Sequence, residues 1–146
     1  MVLIGAFNNE WSLRLTRELR YSLALDVDRH LIYIKDPKAP RPGDGVGPPI
    51  VLSTIRVGRV RPTLQDYALI SRIRNSEAGH AVVVIGGLYT YGTEAVDEFL
   101  TDPQPMRSIE KEVPLSDPHS NVQITLGTTV TDTVAGPPRV LAVSAE

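Results

Sequence analysis

A chain of 146 residues is the size of one ordinary domain and long enough to bury roughly two-thirds of its unfolded surface. Its 42% hydrophobic and 22% charged residues belong to a globular fold, not a disordered one. The lack of cysteine excludes disulfides, zinc–thiolate centres, iron–sulfur clusters and cysteine nucleophiles, and a net charge of −2 speaks against a dedicated nucleic-acid binder.

The charge is uneven along the chain: +5 over residues 1–75 and −7 over residues 76–146. Arg56, Arg59 and Arg61 could present a basic face, but within one domain the two halves mingle. Glu10 arrives too early for a secretory leader, and with the lack of cysteine this points to a cytoplasmic protein. The longest uncharged run, residues 78–93, contains His80 and several glycines and falls short of the ~20 residues that cross a membrane. No membrane partner is expected.

Residues 2–6 form a short apolar run of the kind that makes a buried strand. It follows Met1 directly, which suits either a compact protein or a domain cut from a longer chain. Asn8 and Asn9 then offer helix caps, and Trp11, Leu15 and Leu19 recur every four residues, predicting a helix over about 9–20. Short strands are expected at 21–25 and 31–34, separated by the turn-like residues 26–29.

Residues 36–49 hold five of the twelve prolines and three glycines, and so read as a surface loop. A weak strand signal follows over 50–61. The clearest pattern is a hairpin at 67–86 whose link, residues 74–79, is polar and ends in glycine. Its second arm, with Val82, Val83, Val84 and Ile85 in succession, should be central and covered on both faces.

Ala95, Val96, Phe99 and Leu100 form one apolar stripe, predicting a helix over 93–101 capped by Thr93 and stopped by Asp102-Pro103. Glu94, Asp97 and Glu98 suit the positive end of its dipole. A brief helical turn is expected around 106–111, and a second hairpin over 121–144 closes the chain. The expected fold is therefore a single α/β domain spanning 1–146: a mixed β-sheet with a few helices packed on it and two antiparallel hairpins.

Two strand-to-helix turns concentrate the polar chemistry. The second, residues 86–94, has Gly87 and Gly92 at the five-residue offset of a phosphate-binding loop. Thr93 and Glu94 stand where such a loop requires Lys and Ser/Thr, which excludes polyphosphate hydrolysis as a reading. The first turn, residues 5–11, also follows a strand and opens a helix. If both strands run parallel, the two turns face one crevice, since ligands in open α/β sheets gather at the carboxyl ends of strands.

Asn8, Asn9 and Thr93 would then supply oriented polar contacts and Trp11, Tyr89 and Tyr91 apolar walls, with Gly87 and Gly92 admitting close approach. The expected ligand is small and neutral or singly anionic. The structural alternative is that the asparagines only cap a helix and the aromatics only pack. His30, His80 and His119 lack metal-ligand spacing, and no nucleophile elbow accompanies Asp117 and His119, so neither a metal nor a cofactor is expected.

The strings Leu3-Ile4-Gly5-Ala6-Phe7-Asn8-Asn9-x-Trp11 and Gly86-Gly87-x-x-x-Tyr91-Gly92-Thr93-x-Ala95-x-x-Glu98-Phe99-Leu100-Thr101 carry a resemblance. They are similar to an uncharacterised bacterial domain family found in the C-terminal parts of longer signalling or regulatory proteins. Glu10 departs from the proline expected there. The resemblance spans residues 2–143 and implies a parent chain with a DNA-binding or catalytic domain elsewhere; it brings no catalytic residue with it.

Three functions fit these observations. The favoured one is a non-catalytic ligand-sensing or interaction domain of a bacterial regulatory protein. The others are a small enzyme acting on a carbonyl or ester in the same crevice, and a purely structural or oligomerisation module. Both turns offer amides, hydroxyls and glycines where an enzyme needs convergent ionisable groups, which favours binding.

Overall fold

The computed structural model describes residues 1–39, 45–51, 63–75, 79–117 and 119–146. The arginines at 56, 59 and 61, most of the weak strand signal over 50–61 and the middle of the proline-rich loop lie outside them. The fold is a mixed α/β one. Its main sheet orders β1 (Val2–Ile4), β6 (His80–Gly87), β5 (Thr63–Asn75) and β7 (Val122–Thr131) side by side. On the far side of β7 lie both β8 (Val134–Ala135) and β9 (Arg139–Ala145). A second, three-stranded sheet joins β2 (Ser22–Asp26), β3 (Leu31–Lys35) and β4 (Ile50–Val51).

The β5–β6 and β7–β9 pairs are the two antiparallel hairpins expected from the sequence. The one parallel pairing described, β1 with β6, matches Val2, Leu3 and Ile4 to Val83, Val84 and Ile85. This pairing sends both strands into their following helices at the same edge. It also makes β6 an inner strand, as its unalternating apolar run requires.

Alternation sorts the core into two faces. Ala68, Ile70, Ile85, Ile124 and Leu126 pack against Val96 and Phe99 of α2 (Thr90–Thr101) and Ile109 of α3 (Pro103–Ile109). On the opposite face Tyr67 and Leu69 meet Tyr21, Leu23, Ile32 and Ile34, so the small sheet lies over the large one. Beside it Ile73, Val82 and Val84 pack against Leu3, Leu15 and Leu19, bringing in the α1 region.

Helix α1 (Glu10–Thr16) is shorter than its periodicity suggests. Arg17 donates its N–H to the Arg14 carbonyl and Leu19 to that of Thr16, so the chain tightens into three-residue turns before it reaches Tyr21. Its buried positions are Ser12 and Thr16, while Trp11 is 61% exposed with the Arg14 guanidinium over its ring. Trp11 therefore faces outward, while Leu15 and Leu19, which share its four-residue spacing, pack on the core.

Asp102 ends α2 and, with its carboxylate accepting from Gln104 N, also starts α3, where Pro103 occupies the first turn. Between β7 and β8, Thr131 pairs with Val134, and the two central residues Asp132 and Thr133 have φ of 49° and 67°. This is the left-handed turn that matches the twist of a hairpin, and a β-branched Thr133 is strained in it. Thr133→Gly is expected to raise the unfolding free energy by about 0.5–1 kcal/mol, relief of that strain being partly offset by glycine's backbone entropy. Urea denaturation of the two proteins checks it.

Candidate functional site at the edge shared by two turns

Because β1 and β6 are parallel neighbours, the turns that follow them adjoin. Gly5 N donates to the Ile85 carbonyl at 2.9 Å, and Gly5 then takes a φ of 135°, a conformation side chains oppose. Between the turns opens a cleft of about 460 Å³, walled by residues 4–8 on one side and by 87–90 with Thr93 on the other. A volume of that size belongs to small-ligand sites.

Four of the eight residues singled out from the sequence line the cleft: Asn8, Gly87, Tyr89 and Thr93. The other four are placed otherwise. Asn9 is the cap of α1, its Oδ1 accepting from Trp11 N at 3.1 Å and Ser12 N at 3.3 Å. Trp11 points to solvent. Gly92 is buried beneath the helix start against the Tyr67 carbonyl, and Tyr91 is half-buried in the first turn of α2 without reaching the wall.

The two asparagines thus divide their labour. Asn8 is exposed and its carboxamide makes no hydrogen bond among the described residues, whereas Asn9 satisfies two orphan donors. Asn9→Ala should cost about 1 kcal/mol of stability, and Asn8→Ala less than about 0.5 kcal/mol. Parallel urea titrations would decide between this assignment and its reverse.

Gly86 and Gly87 are the last residues of β6, neither in a left-handed conformation. What Gly87 provides is space: a Cβ there would sit 2.5 Å from Thr93 N and from the Tyr89 carbonyl. Helix α2 begins three residues earlier than expected, and Thr93 is not its cap. Thr93 lies inside the helix and donates its own N–H to the Tyr89 carbonyl.

The residue at the cap position, Tyr89, makes no side-chain capping bond. Its place is taken by Asp66, four residues into β5 and fully buried. Oδ1 of Asp66 accepts from Tyr67 N at 2.7 Å and Tyr89 N at 3.2 Å, and Oδ2 accepts from Gly92 N at 2.6 Å. Burial raises the Asp66 carboxyl above its usual range, against the pull of the Gly92, Tyr67 and Tyr89 N–H groups, and the charge of Glu94 adds to the rise. Tyr89 is also pushed up, by burial and then by Asp66, and its hydroxyl is buried with no partner among the described residues.

Sequence reasoning passed over Asp66. Thr93 offered a plausible local cap and hid the need: the helix begins at Thr90 with Tyr89 at its cap position, and its N–H groups must meet some other acceptor. Comparison of the chain with protein-family models, curated proteins and solved structures found no match.

The cleft wall presents the Asn8 amide, the Thr90 and Thr93 side chains, backbone groups and the apolar sides of Ala6, Phe7, Leu88 and Tyr89. Among the described residues Tyr89 is the only ionisable one that lines it. Such a wall can hold and orient a small molecule but has no acid–base pair to move protons near neutral pH. Among the described residues no three of His, Cys, Asp and Glu gather as metal ligands would, and no helix is long and apolar enough to cross a membrane.

Proposed function

We propose that this chain is a non-catalytic small-ligand-sensing module, serving a larger bacterial regulatory protein of the kind its sequence resembles. One observation carries the reading: the parallel β1–β6 pair brings two strand-to-helix turns to a common cleft of about 460 Å³. The wall of that cleft is rich in hydrogen-bonding and apolar groups and poor in ionisable ones. A purely structural module would fill this crevice with its own side chains, and an enzyme acting on a carbonyl or ester would need a nucleophile or base there. The open cleft with a wall of amide, hydroxyl and ring favours binding over both.

A thermal-shift screen over small metabolites tests it. A ligand at about 100 times its dissociation constant should add roughly 2.7 kcal/mol, which for a chain of this size is a rise of about 5–10 °C. Thr90→Trp, at an exposed position of the rim, should abolish the rise while leaving the free protein's Tm unchanged. Tyr91→Ala should leave the rise intact, since Tyr91 stands outside the wall. The reading fails if no ligand shifts the Tm, or if the shift survives Thr90→Trp.

A further inference from the structure

We infer that the cleft takes an uncharged ligand presenting a primary amide or similar donor–acceptor group, and rejects the matching carboxylate, because the protein's own Asp66 fills the helix start that an anion would use. This rests on the binding reading above and narrows its ligand from neutral or singly anionic to neutral.

A strand-to-helix turn ordinarily attracts anions because backbone N–H groups and the positive end of the helix dipole point at one spot. At α2 that capacity is spent internally. Both oxygens of Asp66 are engaged, at 2.6 to 3.2 Å, with the N–H groups of Tyr67, Tyr89 and Gly92. A second carboxylate arriving from the cleft would find two of those donors, Tyr89 N and Gly92 N, already paired. Tyr89 is itself a wall residue, so the Asp66 charge lies one peptide behind the surface the ligand touches. Burial keeps that charge poorly screened by salt.

The surroundings add to this. Glu94 sits one turn along α2, and Glu10 is the first residue of α1. Among the described residues no lysine or arginine lines the cleft to offset these charges. What remains free is suited to a neutral partner. The Asn8 carboxamide can donate and accept at once, the Thr90 and Thr93 hydroxyls can do either, and Phe7 and Tyr89 offer apolar surface. A primary amide can answer both roles of Asn8. A carboxylate can only accept.

The test is a titration of the full chain, followed through backbone amide shifts, with three matched pairs of probes: benzamide and benzoate, nicotinamide and nicotinate, indole-3-acetamide and indole-3-acetate. The amides should move the signals of residues 5–8 and 87–93 together and bind about tenfold more tightly than their acids. Acids binding within about threefold of the amides overturn the inference and leave the binding reading standing. No cleft shift with any of the six probes overturns the binding reading itself. In the Asp66→Asn protein the preference should shrink to about threefold or less. An unchanged preference there overturns the inference by removing Asp66 as its cause, and, should Asp66→Asn not fold, an unchanged preference in Asn8→Ala overturns it by removing the group that answers the amide.

Discussion

Replacing Asp66 by alanine is expected to lower the unfolding free energy by about 3–4 kcal/mol at neutral pH, the largest loss expected from any single polar side chain here. The substitution deletes the only acceptor that the N–H groups of Tyr89 and Gly92 have among the described residues, in a place where the side chain is fully shielded from water. Each donor left unpaired costs about 1–3 kcal/mol, and a small cavity adds to the sum. Asp66→Asn, which keeps an acceptor oxygen of nearly the same shape, should lose about half as much. Urea unfolding measures both, and a loss below about 1 kcal/mol for the alanine variant would mean that Asp66 does not hold the start of α2.

The same residue sets a pH signature with a definite sign. Burial raises its folded-state carboxyl above the ordinary value of about 3.9, so just above that value the native state binds more protons than the unfolded chain. The part of its contribution that comes from holding a proton is therefore full below about pH 4 and is lost as pH rises through the raised value, while its bonds to the Tyr89 and Gly92 N–H groups remain. Asp36, held below the usual range by Arg20 and the Lys38 N–H against the cost of burial, has the opposite sign and loses its contribution as pH falls. Subtracting the pH profile of Asp66→Asn from that of the parent isolates the Asp66 slope.

Gln123→Leu is the second large effect, expected to cost about 3 kcal/mol. The Gln123 amide acts as a missing strand. Its Oε1 accepts from Tyr21 N and its Nε2 donates to the Tyr21 carbonyl, both at 2.7 Å, and Nε2 also donates to Ser71 Oγ at 3.0 Å. Tyr21 and Gln123 are both buried, so leucine fills the space but strands a backbone donor and a backbone acceptor. Hydrogen exchange at the Tyr21 amide and along β2 should accelerate with it, because this clamp ties the small sheet to β7. Unchanged stability would imply that water replaces the amide without penalty.

How much of this was legible follows from where the physics is local. The β5–β6 hairpin, the β7–β9 hairpin and the buried centre of β6 were readable because apolar runs and turn residues report on their own segment. The adjacency of the two turns was readable only as a condition, since it depends on β1 and β6 running parallel, and register is a property of the pair. Gln123 and Thr125 alternate with Val122 and Ile124, which reads as a wet outer face; the second sheet covers that face, and nothing in β7 alone announces it. Trp11 was misplaced as a wall of the cleft for a related reason: position in a turn's sequence cannot say which way the side chain of a seven-residue helix faces. The helix start at residue 90 was misplaced because Thr93 is a good local cap, whereas the true acceptor lies 26 residues from Gly92 in sequence.

We propose that the cleft between the turns after β1 and β6 is where this protein meets its ligand. Crystallographic screening with small neutral fragments tests it most directly. Bound fragments are expected between residues 5–8 and 87–90, hydrogen-bonded to Asn8 or Thr90 and packed against Phe7 or Tyr89, with Asp66 still holding Gly92 N. Fragments that gather elsewhere on the surface and leave this cleft empty would contradict it.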